Sequence, residues 1–130
     1  RLWKLDAPVA AALAFKRIAP YEPVVGEFGL MPAGQTGVKL RPDWIRTGPR
    51  KVDAVGFAGV LIQLSVFETL SEKKLDWFKW GELGEDFSFC LSCKDAGIEI
   101  WCDTDLVLDH IGENQLVNQE TFYSFSQGKK

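Results

Sequence analysis

Residues 84–110, GEDFSFCLSCKDAGIEIWCDTDLVLDH, switch their apolar repeat from the period of a helix to that of a strand across a single glycine. Phe87, Cys90 and Leu91 fall at helical spacing, and Phe89, Cys93 and Ala96 form an adjacent stripe. The segment 86–96 is therefore predicted to be a helix buried over a broad face. Gly97 follows the last periodic residue, where glycine readily takes the left-handed turn that ends a helix. IEIWC, residues 98–102, then alternates as a strand. Asp103-Thr104-Asp105 has the chemistry of a turn, and residues 106–108 offer a second short strand. Glu85 and Asp86 open the predicted helix, and His110, the only histidine, closes the stretch.

The rest of the chain supplies partners for such a unit. VAAALAF, residues 9–15, is an apolar run bounded by Pro8 and by Lys16-Arg17; its alanines favour helix, but its brevity and the punctuation at Pro20, Tyr21 and Pro23 favour a buried strand. Residues 26–49 carry glycines at 26, 29, 34, 37 and 48 and prolines at 32, 42 and 49, which predicts a long irregular excursion. VDAVGF and GVLIQL read as strands on either side of a break at Gly56 to Gly59, where glycine allows close approach of a neighbouring strand or of a ligand. Ser65 with Glu68 has the spacing of a capping box for a short helix, VFETL. An aromatic loop with Trp77, Phe78 and Trp80 follows, and the tail around Phe122, Tyr123 and Phe125 is expected to form a last helix. Strands and helices interleaved over 130 residues predict one α/β domain, residues 1–130, large enough to bury roughly two-thirds of its unfolded surface.

Charge and cysteine usage narrow the function. A net charge of −3 is no footprint for neutralising many phosphates, so no nucleic-acid partner is expected. The basic pairs Lys16-Arg17, Arg50-Lys51, Lys73-Lys74 and Lys129-Lys130 are short and scattered; they read by default as solvated surface, with a local role for one of them left open. Cys90, Cys93 and Cys102 cannot all pair within the chain. CLSC lies inside the predicted helix without a second ligand pair for zinc, so structural cysteines in a reducing cytoplasm are expected. No apolar run reaches the roughly 20 residues of a membrane span, and no export signal is visible.

Four features could carry chemistry. Asp103-Thr104-Asp105 is a literal DxD, the spacing with which two carboxylates hold a hard divalent cation, although the same residues make ordinary turns. His110 ends a short strand after that acidic stretch, where an imidazole suits either packing or a metal held by other segments. Glu85 and Asp86 sit where a carboxylate is kept ionised and oriented for work as a general base; taken alone, first-turn helix acids explain them more simply. Trp77 and Trp80 could stack on the apolar faces of sugars or form an edge of the core.

Taken in order, VDAVGFAGVLI, SVFETL, the aromatic loop, the GEDFSFC helix, the strand ending in His110 and the glycine after it resemble, over residues 50–112, the C-terminal half of a GT-A-type inverting glycosyltransferase. The family is the large one that includes cellulose, chitin and O-antigen transferases. The resemblance implies an α/β, partial GT-A-like nucleotide-diphospho-sugar transferase fold, a mixed sheet with flanking helices. It implies Asp86 as the base that deprotonates an acceptor hydroxyl, with Glu85 beside it, and His110 as a ligand of the Mn2+ or Mg2+ that holds the donor diphosphate. Gly56 and Gly59 would let backbone approach donor sugar or acceptor, and Trp77 or Trp80 would line the acceptor side. The implied partners are a nucleotide-diphosphate sugar and a carbohydrate or other hydroxyl acceptor.

The family keeps its nucleotide site and its DxD in an N-terminal half that these 130 residues lack. Asp103-Thr104-Asp105 comes after the ED helix and cannot be that motif. The opening, VAAALAFKRIAPYEPVVG, resembles the strand that follows it, so the chain is expected to be a piece of a longer protein and incomplete as a catalyst alone. Two alternatives stand beside this reading: a non-catalytic binding module that kept the acceptor-side half and forms a homodimer, and, less well supported, a metal-dependent hydrolase using Asp103, Asp105 and His110.

Overall fold

The computed structural model describes residues 1–79, 81, 83–111 and 116–128, with His110 and Ile111 described by their backbone alone. In chain order the elements are β1 (Val9–Leu13), β2 (Val25–Leu30), β3 (Thr36–Leu40), β4 (Pro49–Val52), β5 (Ala54–Val55), β6 (Val60–Ile62), α1 (Leu64–Glu72), α2 (Glu85–Asp95), β7 (Ile100–Val107), β8 (His110–Ile111), β9 (Leu116–Val117) and α3 (Gln119–Ser126). Short 3-10 turns lie at Leu2–Leu5 and Pro42–Trp44. The result is a mixed α/β fold.

An apolar strand with no polar alternation has no face to give to water, so it belongs between two neighbours. VAAAL does this: every residue of β1 is buried, β7 pairs with it in parallel and β6 antiparallel, and β4 adds to the far side of β7 antiparallel. This gives a mixed sheet in the order β4-β7-β1-β6. Alanine is a weak strand former, but along β1 its methyl groups allow close neighbours; a Cβ on Gly59 would already stand 3.7 Å from that of Ala12 and 2.6 Å from Leu108 Cδ1.

The glycine-rich stretch is not an irregular excursion. Residues 25–40 form a hairpin, β2 against β3, that joins β5 in a second, antiparallel sheet in the order β3-β2-β5. Its glycines serve two ends. Gly34 takes a left-handed φ of 86° at the turn, whereas Gly26, Gly29 and Gly37 lie within the strands, and Gly29 faces Gly37. A Cβ on Gly26 would run into the Lys39 backbone carbonyl, while one on Gly29 meets nothing within 4 Å.

Asp103-Thr104-Asp105 is not a turn either. β7 runs through it, with an irregularity that moves the register from Ala12↔Asp103 to Leu13↔Val107. The Asp103 carboxylate accepts the Asp105 N–H at 3.1 Å, and Thr104 Oγ1 donates to the Gly48 carbonyl at 2.8 Å and accepts the Thr47 N–H at 2.9 Å. The expected capping box at Ser65 is absent: α1 begins at Leu64 with Gln63 as its N-cap, and no side chain caps it. Gln63 instead ties to the segment before β1, its N–H to the Pro8 carbonyl at 2.9 Å and its amide to that of Ala7 at 3.3 Å. α2 begins at Glu85 and stops as predicted, with Gly97 at φ 75° and the Ile98 N–H bonded to the Cys93 carbonyl at 2.8 Å. α3 carries a true capping box between Asn118 and Thr121, and its Phe122 lies 6.0 Å from Phe15. No helix among the described residues is long and apolar enough to cross a membrane.

The hairpin predicts an asymmetry between its glycines. Gly26→Ala should cost about 1–3 kcal/mol, because backbone rather than a flexible side chain must give way, and Gly29→Ala should stay within about 0.5 kcal/mol of wild type. Urea midpoints of the two variants test this, and equal midpoints would contradict the close approach at Gly26.

Asp103 predicts an acid limb. Burial by itself would raise its carboxyl, but the Arg1 hydrogen bond, the Asp105 N–H and the Arg1 charge outweigh burial and hold it below the ordinary value. Arg1 Nε stands 2.7 Å from Oδ2. A carboxyl lowered in the folded state binds its proton more readily in the unfolded chain. Its contribution is thus complete above the unfolded value of about 3.9 and is lost as pH falls through the lower folded value. Thermal melts from pH 6 down to about 2.5 should show a steeper acid loss for wild type than for Asp103→Asn.

Candidate functional site

The carboxyl end of a buried strand is where open α/β sheets leave room for ligands. The chain leaves β1 at such an end, and Ala14 and Arg17 there border a cleft of about 480 Å3. Its other walls are Val24, the Gly56-Phe57-Ala58 segment after β5, Phe78 from the loop after α1, and Glu85 and Asp86 from the first turn of α2. Of the residues singled out from sequence, Glu85, Asp86 and Gly56 thus meet in one place.

Several contacts fix α2 against the sheet and so aim its first turn. Cys90 Sγ donates to the Val55 carbonyl at 3.7 Å, Lys94 Nζ pairs with Asp53 Oδ1 at 3.1 Å, and Phe89 is fully buried among rings. Phe78 stacks on Phe89 at 5.3 Å, and Phe57 meets Phe89 edge-on at 5.4 Å. At the start of the helix Gly84 has φ 80°, which a residue with a Cβ adopts only with strain, so the chain turns sharply into α2 and presents both acids at once. Glu85 is exposed. Asp86 is half-buried, and its Oδ1 accepts the Phe87 N–H at 2.9 Å. Gly56 brings backbone close to it: a Cβ there would lie 2.8 Å from Val24 Cγ1 and 3.8 Å from Asp86 Oδ2.

The other sequence candidates lie elsewhere. Gly59 packs against Ala12 and Leu108, outside the cleft lining. Trp77 turns to α1, its ring 4.9 Å from Phe67 and its Nε1 donating to Ser71 Oγ at 3.2 Å; the neighbouring Phe78 is the ring that faces the cleft. Trp80 and the glycine at 112 lie outside the described residues, as does the side chain of His110, whose backbone pairs with Val117. The sequence placed Phe78 among the loop aromatics and Lys16-Arg17 among basic pairs read by default as surface, and it gave Phe57 no role. The available signal for Arg17 was its place in the basic pair that ends a wholly apolar run.

A resident metal finds no fit among the described residues, where no three His, Cys, Asp or Glu side chains gather to hold an ion. Asp103 is engaged by Arg1 and by the Asp105 N–H. The cysteines, all free and buried, have their thiols pushed up to about 12, chiefly by burial. Thiolate is the reactive form, so at pH 8 the folded chain should react with a thiol reagent such as iodoacetamide at least about 100-fold more slowly than the urea-unfolded chain. Mass-spectrometric counting of alkylated cysteines against time checks this, and rapid labelling of the native chain would refute the structural role.

No known family model matches the chain, and no curated protein sequence matches it.

Proposed function

We propose that this chain is the acceptor-side half of a GT-A-like inverting glycosyltransferase and that Asp86 is its catalytic base. One observation carries the reading: a half-buried carboxylate on the first turn of a helix borders a ligand-sized cleft that Gly56 and the aromatic Phe78 also line. Aromatic faces suit the apolar faces of sugars, and a fixed carboxylate suits a hydroxyl proton.

In the proposed reaction an acceptor hydroxyl donates its proton to Asp86 as its oxygen forms a bond to the anomeric carbon of the donor. The bond from that carbon to the donor's diphosphate oxygen breaks, and its electron pair leaves with the nucleoside diphosphate. Attack opposite the leaving group inverts the anomeric centre. Glu85, at the mouth of the cleft, is placed to orient the acceptor. The nucleotide-binding half lies outside the 130 residues in this reading, and transfer needs it. A divalent metal, Mn2+ or Mg2+, belongs to the proposal only through His110, and no step is routed through it. A cytoplasmic setting is part of the same reading, supported by three unpaired, buried thiols.

A second reading, a non-catalytic module that dimerises, draws support from β6. It is the edge strand of its sheet, with Leu61 46% exposed, and Leu64 and Trp3 are 79% and 70% exposed.

The test is turnover of a nucleotide-sugar onto a carbohydrate acceptor by a chain that includes a donor-binding half. Asp86→Asn should lower kcat by about 10^2- to 10^4-fold while donor binding, followed by calorimetry, stays the same. Unchanged turnover would remove Asp86 as the base, and no turnover by the wild type would favour the second reading.

A further inference from the structure

The chain has five arginines, and four are committed. Arg1 pairs with Asp103; Arg41 bonds Glu27 and Asp43. Arg46 donates to Gln119 at 2.9 Å, and Arg50 lies 4.1 Å from the centre of the Trp44 ring and donates to Thr47. Arg17 makes no hydrogen bond, ion pair or ring contact with any described residue, although it lines the same cleft as Glu85 and Asp86. Neither carboxylate comes within the 4.0 Å of an ion pair with it. Lys16, next to it in sequence, pairs with Glu22 at 3.6 Å and borders a different cavity, with Met31, Val38 and Phe87. Arg17 is thus the cationic side chain of this cleft among the described residues, and it is uncommitted.

The cleft therefore has a cationic border and an anionic border, with apolar Ala14, Val24, Phe57 and Phe78 completing its lining. A guanidinium presents a planar fork of N–H donors that matches two oxygens of a phosphate. A substrate that carries a phosphate and, a few ångströms away, a group for Asp86 would satisfy both borders together.

We propose that Arg17 is a binding residue that holds a phosphate group of the substrate in this cleft. The choice of phosphate source, the donor's diphosphate or a phosphorylated acceptor, rests on the transferase reading; phosphate binding at Arg17 does not.

The test is calorimetric titration of the 130-residue chain with inorganic pyrophosphate, a nucleoside diphosphate and a hexose phosphate, in wild type, Arg17→Gln, Arg17→Lys and Lys51→Gln. Loss of one charge-assisted contact should weaken binding about 10- to 100-fold in Arg17→Gln, with a smaller loss in Arg17→Lys and none in Lys51→Gln, whose side chain lies outside the cleft. Because Arg17 is exposed and supports no described contact, Arg17→Gln should keep the wild-type melting temperature. Tighter binding of the nucleoside diphosphate than of the hexose phosphate assigns the phosphate to the donor, and the reverse assigns it to the acceptor. Saturable pyrophosphate binding that depends on Arg17 upholds the inference even where no nucleotide sugar is turned over, the outcome that would sink the transferase reading instead. No saturable phosphate binding to wild type, or equal affinities in wild type and Arg17→Gln, would overturn it.

Discussion

β1 has no side that can meet water, and the covering of that strand organises the molecule. Its two edges are paired, to β6 and β7, and its side chains are mostly methyl groups, so whatever covers them comes close. Gly59 is one sign of this: a Cβ there would require the Leu108 side chain to shift and would touch Ala12. The burial continues through Ala14 and Phe15 and gives way abruptly to exposed Lys16 and Arg17, so the end of the apolar run is also a boundary between core and solvent. The candidate cleft lies at that boundary. Its position follows from where β1 stops being buried.

A second set of contacts carries this order to the catalytic candidates. α2 is held at its middle by Phe89 and Cys90 and towards its far end by Lys94, which leaves the first turn to be set by the direction in which the helix starts. Gly84 supplies that direction with a backbone angle other residues avoid, and Gly56 supplies the space. Phe78 joins the two halves of the arrangement, since one face of its ring packs on Phe89 while the residue also borders the cleft. Truncating Phe78 would accordingly loosen the packing of α2 as well as widen the cleft.

What could be read from the sequence depended on whether local chemistry had one structural meaning. The period of 86–96 and the stop at Gly97 each allowed one outcome, and the fold has both; the apolar run of β1 suited helix as well as strand, and its brevity and the prolines after it favoured the strand that forms. Glycine is ambiguous: five of them between 26 and 48 suggested turns, yet three sit in paired strands, where the absence of a side chain permits close backbone approach instead of a bend. Asp and Thr are ambiguous in the same way. At 103–105 their side chains bond backbone, as they do in turns, but they do so within a bulged strand whose course is set by its partners β1 and β4. In the site, Asp86, Glu85 and Gly56, singled out in the sequence mainly by the family resemblance, line one cleft. The loop at 77–78 has no period, so nothing in the sequence decides between Trp77 and Phe78 as the ring facing the cleft. A basic pair after a strand looks the same whether it is solvated or lines a cleft, and that hid Arg17.

The contrast between Asp103 and Arg17 separates stability from function in this fold. Asp103 is buried, and a buried carboxylate without a partner is destabilising, so its contacts with Arg1 and the Asp105 N–H offset the cost of burying it. Arg17 is exposed. An exposed ion pair contributes little to stability, so a fold loses almost nothing by leaving such a cation unpaired. Glu85, on the same cleft, is exposed as well, and pairing it with Arg17 would bring a small gain while closing the space between them. Leaving these two charges unpaired therefore costs the folded state little, and in the proposed reading both are left to the ligand.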